Sequence, residues 1–282
     1  MGIIILICVV VASTAANFFS KQYGEKTKSF NLWLFSAMTM LGGFFFFLLQ
    51  SGFQIRFVKE IIPTTIIFTV GYAATMAGSV LAFKKGPFSI TSLIHSYSIL
   101  PPVVFYIVVL NEKISAIAYV GIALVFISIL FLREKDKGGT FSWTWLFWLT
   151  VSFVGNSICA IMMKMQQVLF DGVYKNEMMI YALIMLMILF FILGIVPKGN
   201  FKKEMASAAL YGIPRGAVNG LSTLMSLLLI EMLPAAICTP LMAGGDIVAA
   251  FVISIAYYRE KLSKAQLFGY LLGCISVVLL NL

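Results

Sequence analysis

Long apolar runs alternate with short charged connectors along the whole chain. Ten runs approach or reach the ~20 residues that a helix needs to cross a bilayer. They lie at about 2–20, 30–50, 61–83, 87–109, 115–132, 142–163, 177–196, 207–230, 234–257 and 263–282. Charge gathers between them, as from Lys21 to Lys28, from Arg133 to Lys137 and from Lys198 to Glu204. The connectors are too short for an extramembrane domain. The pattern predicts an all-α integral membrane protein of ten transmembrane helices. The charged stretch 133–140, with Gly138 and Gly139, divides it into halves at 1–133 and 142–282.

Composition sharpens this picture. Hydrophobic residues make up 61% of the chain and charged ones 11%. A soluble domain has roughly 45–50% and 25%. Soluble enzymes, nucleic-acid binders and secreted disulfide scaffolds are excluded on that ground. The net charge of +9 reflects connector lysines facing an anionic leaflet, so no nucleic-acid partner is expected. Cys8, Cys159, Cys238 and Cys274 lie inside apolar runs without metal-ligand spacing and are read as small buried hydrophobes. Nothing basic precedes the first run, whose first following charge is Lys21, so it is read as a retained span. Neither metal nor cofactor is expected. With one histidine and one mid-membrane aspartate, no catalytic cluster is offered, and an enzyme is not expected.

The halves repeat. Glu112-Lys113-Ile114-Ser115, with Gly121 and Ser128, answers Glu260-Lys261-Leu262-Ser263, with Gly269 and Ser276, at a constant offset. Pro87 answers Pro234, and Lys21 answers Lys164. Each copy has an odd number of spans, so the second enters from the opposite side, giving two inverted five-helix repeats. On these residues, with Asn17-Phe18-Phe19-Ser20-Lys21, Gly86-Pro87 and Pro101-Pro102, the chain resembles the drug/metabolite transporter superfamily, specifically its EamA-type ten-span carriers. The resemblance covers nearly the whole chain and implies an architecture rather than a substrate. Span 9 lacks a proline equivalent to Pro101 or Pro102, so the halves are expected to bend differently.

A helix lining a wet path carries polar groups on one face. Span 1 offers Ser13, Asn17 and Ser20; span 3 Thr65, Thr69, Tyr72, Met76 and Ser79; span 4 Thr91, His95, Ser98 and Pro102. Span 6 offers Ser152, Asn156 and Cys159; span 8 Arg215, Asn219, Ser222 and Ser226; span 9 Thr239, Met242 and Asp246. The resemblance implies a central cavity among these same helices. Candidate substrate or coupling residues are Asn17, Tyr72, His95, Ser98, Asn156, Arg215, Asn219 and Asp246.

His95, Arg215 and Asp246 are the ionisable residues deep in the spans. Taking spans 8 and 9 as neighbours, Arg215 and Asp246 come within ~5 Å in depth at the helical rise. An Asp246–Arg215 pair is therefore expected, closed on itself or opening to take a zwitterion, the arginine on its carboxylate and the aspartate on its ammonium group or a proton. His95 titrates near neutrality and suits a proton relay. Lys21 and Lys164 are expected to snorkel to the interface. Gly244-Gly245 is expected either to loosen span 9 or to pack closely, and Gly212, Gly216 and Gly220 form a ridge for close approach.

The expected function is secondary transport of small organic solutes, amino-acid-like or drug-like, by an exporter in the plasma membrane working through a central polar cavity. Its partners are a small-molecule substrate and the lipid bilayer, with protons as a coupling ion and a monomer or homodimer as the working form. No nucleotide-binding G-x-x-x-x-G-K-[ST] loop is present. The alternative is a ten-span channel or lipid scramblase. Connector Lys and Arg divide 14 to 5, favouring a cytoplasmic side that puts both termini outside. The resemblance implies both inside, and the orientation stays open.

Overall fold

The computed structural model describes residues 2–27, 30–111, 115–132, 142–171, 173–196, 200–232, 235–259 and 262–280, with the backbone alone over 226–241 and at a few further positions. Each apolar run is helical, because a segment in lipid must satisfy its backbone polar groups internally. The helices are α1 (Gly2–Lys26), α2 (Leu32–Gln50), α3 (Ile62–Lys85), α4 (Phe88–Ser96), α5 (Leu100–Val109), α6 (Ala116–Leu132), α7 (Trp143–Phe170), α8 (Lys175–Ile195), α9 (Phe201–Met232), α10 (Ala235–Ala256) and α11 (Lys264–Leu280). Among the described residues there is no strand. Six helical segments there are long and apolar enough to cross a membrane: Ile4–Lys26, Leu32–Gln50, Ile62–Lys85, Phe88–Val109, Trp143–Phe170 and Lys175–Ile195. Large apolar side chains such as Ile66, Val70, Phe126, Phe147 and Ile188 are exposed on the helices, as an all-helical protein embedded in lipid requires.

Packing follows the small residues. Helix α3 lies along α7, where a Cβ on Gly78 would meet the Ser152 backbone nitrogen at 2.5 Å. Helix α9 lies along α2, with the Gly212–Gly216–Gly220 ridge against Phe35, Met38, Thr39 and Phe46. Helices α6 and α11 pair, joined by the Ser128 hydroxyl donating to the Gly269 carbonyl at 2.7 Å. In the middle, α1, α3, α7, α4 and α10 touch in cyclic order, and α9 closes on α1.

The span containing Pro101-Pro102 is interrupted by a 3₁₀ turn, Tyr97–Ile99, between α4 and α5. Pro101 and Pro102 bring no N–H to the carbonyls one turn back. The Leu100 N–H bonds the Tyr97 carbonyl instead, and the Ser157 hydroxyl of α7 donates to the Ser98 carbonyl at 2.9 Å. Helix α10 continues unbroken through Gly244-Gly245. Those glycines serve close packing: a Cβ on Gly245 would lie 2.5 Å from Val10 of α1, and one on Gly244 3.2 Å from Val278 of α11. The segment with Pro101-Pro102 is broken where α10 is continuous.

The start of α2 is anchored firmly. The Asn31 side chain caps Trp33 and Leu34, and its amide donates to the Gly194 carbonyl and to Glu204 Oε2, the latter at 2.7 Å. This ties α2 to the end of α8 and the start of α9. The repeat blocks at 112–114 and 260–261, the 133–140 boundary and Pro234 lie outside the described residues, as do the side chains of Ser226, Glu231, Cys238 and Thr239.

Candidate functional site

The α1 stripe is where the candidate charges meet the bundle. The Ser13 hydroxyl donates to Asp246 Oδ1 of α10. Two turns further along, Arg215 Nε of α9 donates to Ser20 Oγ at 2.6 Å. Asn17 stands between them on the same face, half-buried, and makes no hydrogen bond to a described residue. Positions seven apart on a helix return to nearly the same face, ~10.5 Å along the axis.

Arg215 and Asp246 therefore do not pair. Among the described residues the one ion pair is Lys21–Glu25 at 3.9 Å. The expected pairing assumed that α9 and α10 lie side by side. They barely touch; each packs on α1 instead, and α1 keeps the charges apart. The helix lengths agree. Measured from the facing ends of the two helices, Met232 and Ala235, Arg215 lies ~25 Å along α9 and Asp246 ~16 Å along α10, a difference of ~9 Å.

The surroundings of Arg215 come from the first half of the chain. Besides Ser20, its Nη1 donates to the Met76 sulfur of α3 at 2.8 Å, and its guanidinium carbon lies 5.9 Å from the ring centre of Phe35 in α2. The hydroxyl, the thioether and the ring that meet Arg215 are all uncharged. His95 Nε2 of α4 is sealed from solvent without a hydrogen-bond partner.

A second knot ties the 3₁₀ turn to α7. Asn156 donates to Ser98 Oγ at 2.6 Å, and Ser98 Oγ donates to the His95 carbonyl at 2.6 Å. Thr91 accepts from the Trp145 indole at 3.0 Å. These bonds set the position of His95 from both sides of the break. Other stripe residues serve their own helices: Thr65, Thr69 and Ser79 donate to carbonyls three or four residues back. Asn219 is exposed and joins neither group; Ser222 donates to the Val9 carbonyl of α1 at 3.3 Å.

Lys21 does not snorkel. It is only 5% exposed, at the end of α1, with its ammonium 4.1 Å from the ring centre of Tyr258 and 5.8 Å from that of Phe88. It reaches the Gly86 carbonyl at 3.5 Å. Gln22 donates to the Tyr258 hydroxyl at 3.1 Å and Lys26 to that of Tyr257 at 3.2 Å; Phe18 meets Tyr257 edge-on. This aromatic and cationic cluster closes the space between α1, the start of α4 and the end of α10. Its sequence signal was the Tyr257-Tyr258 pair beside a connector, matched to Lys21 and Phe88 at equivalent span ends. Lys164 of α7 lies 5.7 Å from the ring centre of Tyr106 in α5, a looser contact of the same kind.

No family model matches the sequence, and no curated protein matches it. Chains of solved structures do. One of them, a crystal structure of a protein, superposes with a TM-score of 0.60 at 15% identity, covering 96% of this chain and 95% of that one. At that identity the likeness is one of fold, and it runs over nearly the full length of both chains.

Proposed function

We propose that this protein is a secondary carrier of small organic solutes, an exporter of the plasma membrane that works by alternating access. In this reading the ten helical runs are ten crossings arranged as two inverted five-helix repeats. The helix pairings support it: α1 on α9 answers α3 on α7, and α1 on α10 answers α7 on the α4–α5 segment. The pairs α2 with α8, α6 with α11 and α4 with α10 each join a helix to its own counterpart.

The observation that carries the reading is the separation of Arg215 and Asp246 on the α1 stripe. Groups that neutralise each other serve packing. Groups held apart inside a bundle, each on a neutral hydroxyl, are left to act on something else. Asp246, with one hydroxyl partner, is the group suited to exchange a proton. The Lys21–Tyr258 cluster closes one end of the path in this conformation, as alternating access requires of either end in turn.

The test is counterflow in proteoliposomes preloaded with amino acids, organic acids, nucleosides, sugars or cationic drugs. The reading expects saturable, trans-stimulated flux for at least one class. Conductance that does not saturate and shows no trans-stimulation points to a channel and refutes it.

A further inference from the structure

We infer that the solute is held by an anionic head group, a carboxylate or phosphate, at Arg215 and His95, and that Asp246 serves a separate step; this rests on the carrier reading above. A guanidinium has five N–H donors. Arg215 spends one on a hydroxyl and one on a thioether, both uncharged, and has no acid within ion-pair distance among the described residues. A cation inside a membrane bundle needs an anion or water, and a planar fork with free donors is shaped for an oxyanion. Arg215 is half-buried, and its remaining donors are not among the sealed, unpartnered polar atoms of the described residues.

His95 supplies an independent sign. Its Nε2 is buried and unpartnered, although the knot around Ser98 positions the residue closely. A buried polar atom with no partner is costly unless a ligand supplies one. Arg215 is bonded to α1 and α3, and His95 stands on α4 in the same ring of helices, so one ligand is placed between them. The imidazole can donate to the same head group from Nε2–H.

Ser20 and Ser13, which hold Arg215 and Asp246, stand ~10.5 Å apart along the axis of α1. The head-group site at Arg215 is therefore argued without Asp246, and the two residues are tested apart.

The test uses the purified full-length protein and matched probes: benzoate, hexanoate and succinate; their amides; benzylamine and hexylamine; and glycerol 1-phosphate. Ligand-induced thermal stabilisation and counterflow are both measured. We expect stabilisation by carboxylates or by the phosphate ester, none by the amides or amines, loss in Arg215→Gln and partial retention in Arg215→Lys, with apparent affinity down about tenfold. The phosphate arm tells which head group is taken. Equal stabilisation by the amides, unaltered response in Arg215→Gln, or no response of the wild type to any anion would each overturn the inference. Anion stabilisation that depends on Arg215 without counterflow sinks the carrier reading and leaves the anion site standing. Counterflow of neutral or cationic solutes unaffected by Arg215→Gln does the reverse.

Discussion

Arg215 and Asp246 sit on neighbouring helices in sequence, yet their surroundings differ in kind. Arg215 is met by residues of α1, α2 and α3, and it retains unused donors. Asp246 is met by one hydroxyl. A cation served by several elements with neutral groups is positioned for recognition. An acid on a single hydroxyl is free to change partner at little structural cost. In the proposed carrier the two charges divide the work, and α1, on which both α9 and α10 pack, keeps them apart.

The largest effect that would break this division is at the arginine. Arg215→Gln is expected to lower counterflow by about two orders of magnitude, the cost of deleting one side of a buried charge-assisted contact. Asp246→Asn is expected to abolish solute accumulation driven by a proton gradient while lowering counterflow no more than about tenfold, a charged hydrogen bond's worth. Paired gradient-driven and counterflow assays check both. If both variants lose counterflow equally, the two groups form one site.

Smaller changes sharpen the contrast. Ser20→Ala should reduce apparent affinity for the solute about tenfold, and Ser13→Ala should leave it within about twofold, because only Ser20 holds the recognising group. Concentration dependence of counterflow reads that difference. Met76→Leu should change affinity by less than about threefold, since a thioether is a weak acceptor and the substitution conserves volume.

Much of the fold was legible because lipid makes it so. Each apolar run is helical, and the proline contrast between the runs at 87–109 and 234–257 appears as the 3₁₀ break against the continuous α10. The helical repeat put Ser13, Asn17 and Ser20 on one face, and that face receives both charges. Partner choice was not legible. Adjacency along the chain suggested α9 beside α10, but the Gly212–Gly220 ridge draws α9 onto α2, and Gly245 draws α10 onto α1. The burial of Lys21 is hidden for a similar reason: its position at a helix end says nothing of the Phe88 and Tyr258 rings that arrive from the start of α4 and from just beyond α10. Pro102 leaves the Ser98 carbonyl without its helical donor and so calls for a neighbour, but nothing in the sequence singles out Ser157 as that donor.

The central claim is that the α1 stripe between the two charges lines the solute path. Labelling of Asn17→Cys, in a chain whose four native cysteines are replaced, tests it without knowledge of the substrate. A membrane-impermeant thiol reagent should modify the cysteine from the side of the Gly2 end of α1, and slowly from the Lys26 end until Lys21→Met loosens the aromatic cluster there. No modification from either side, with or without Lys21→Met, would contradict the account.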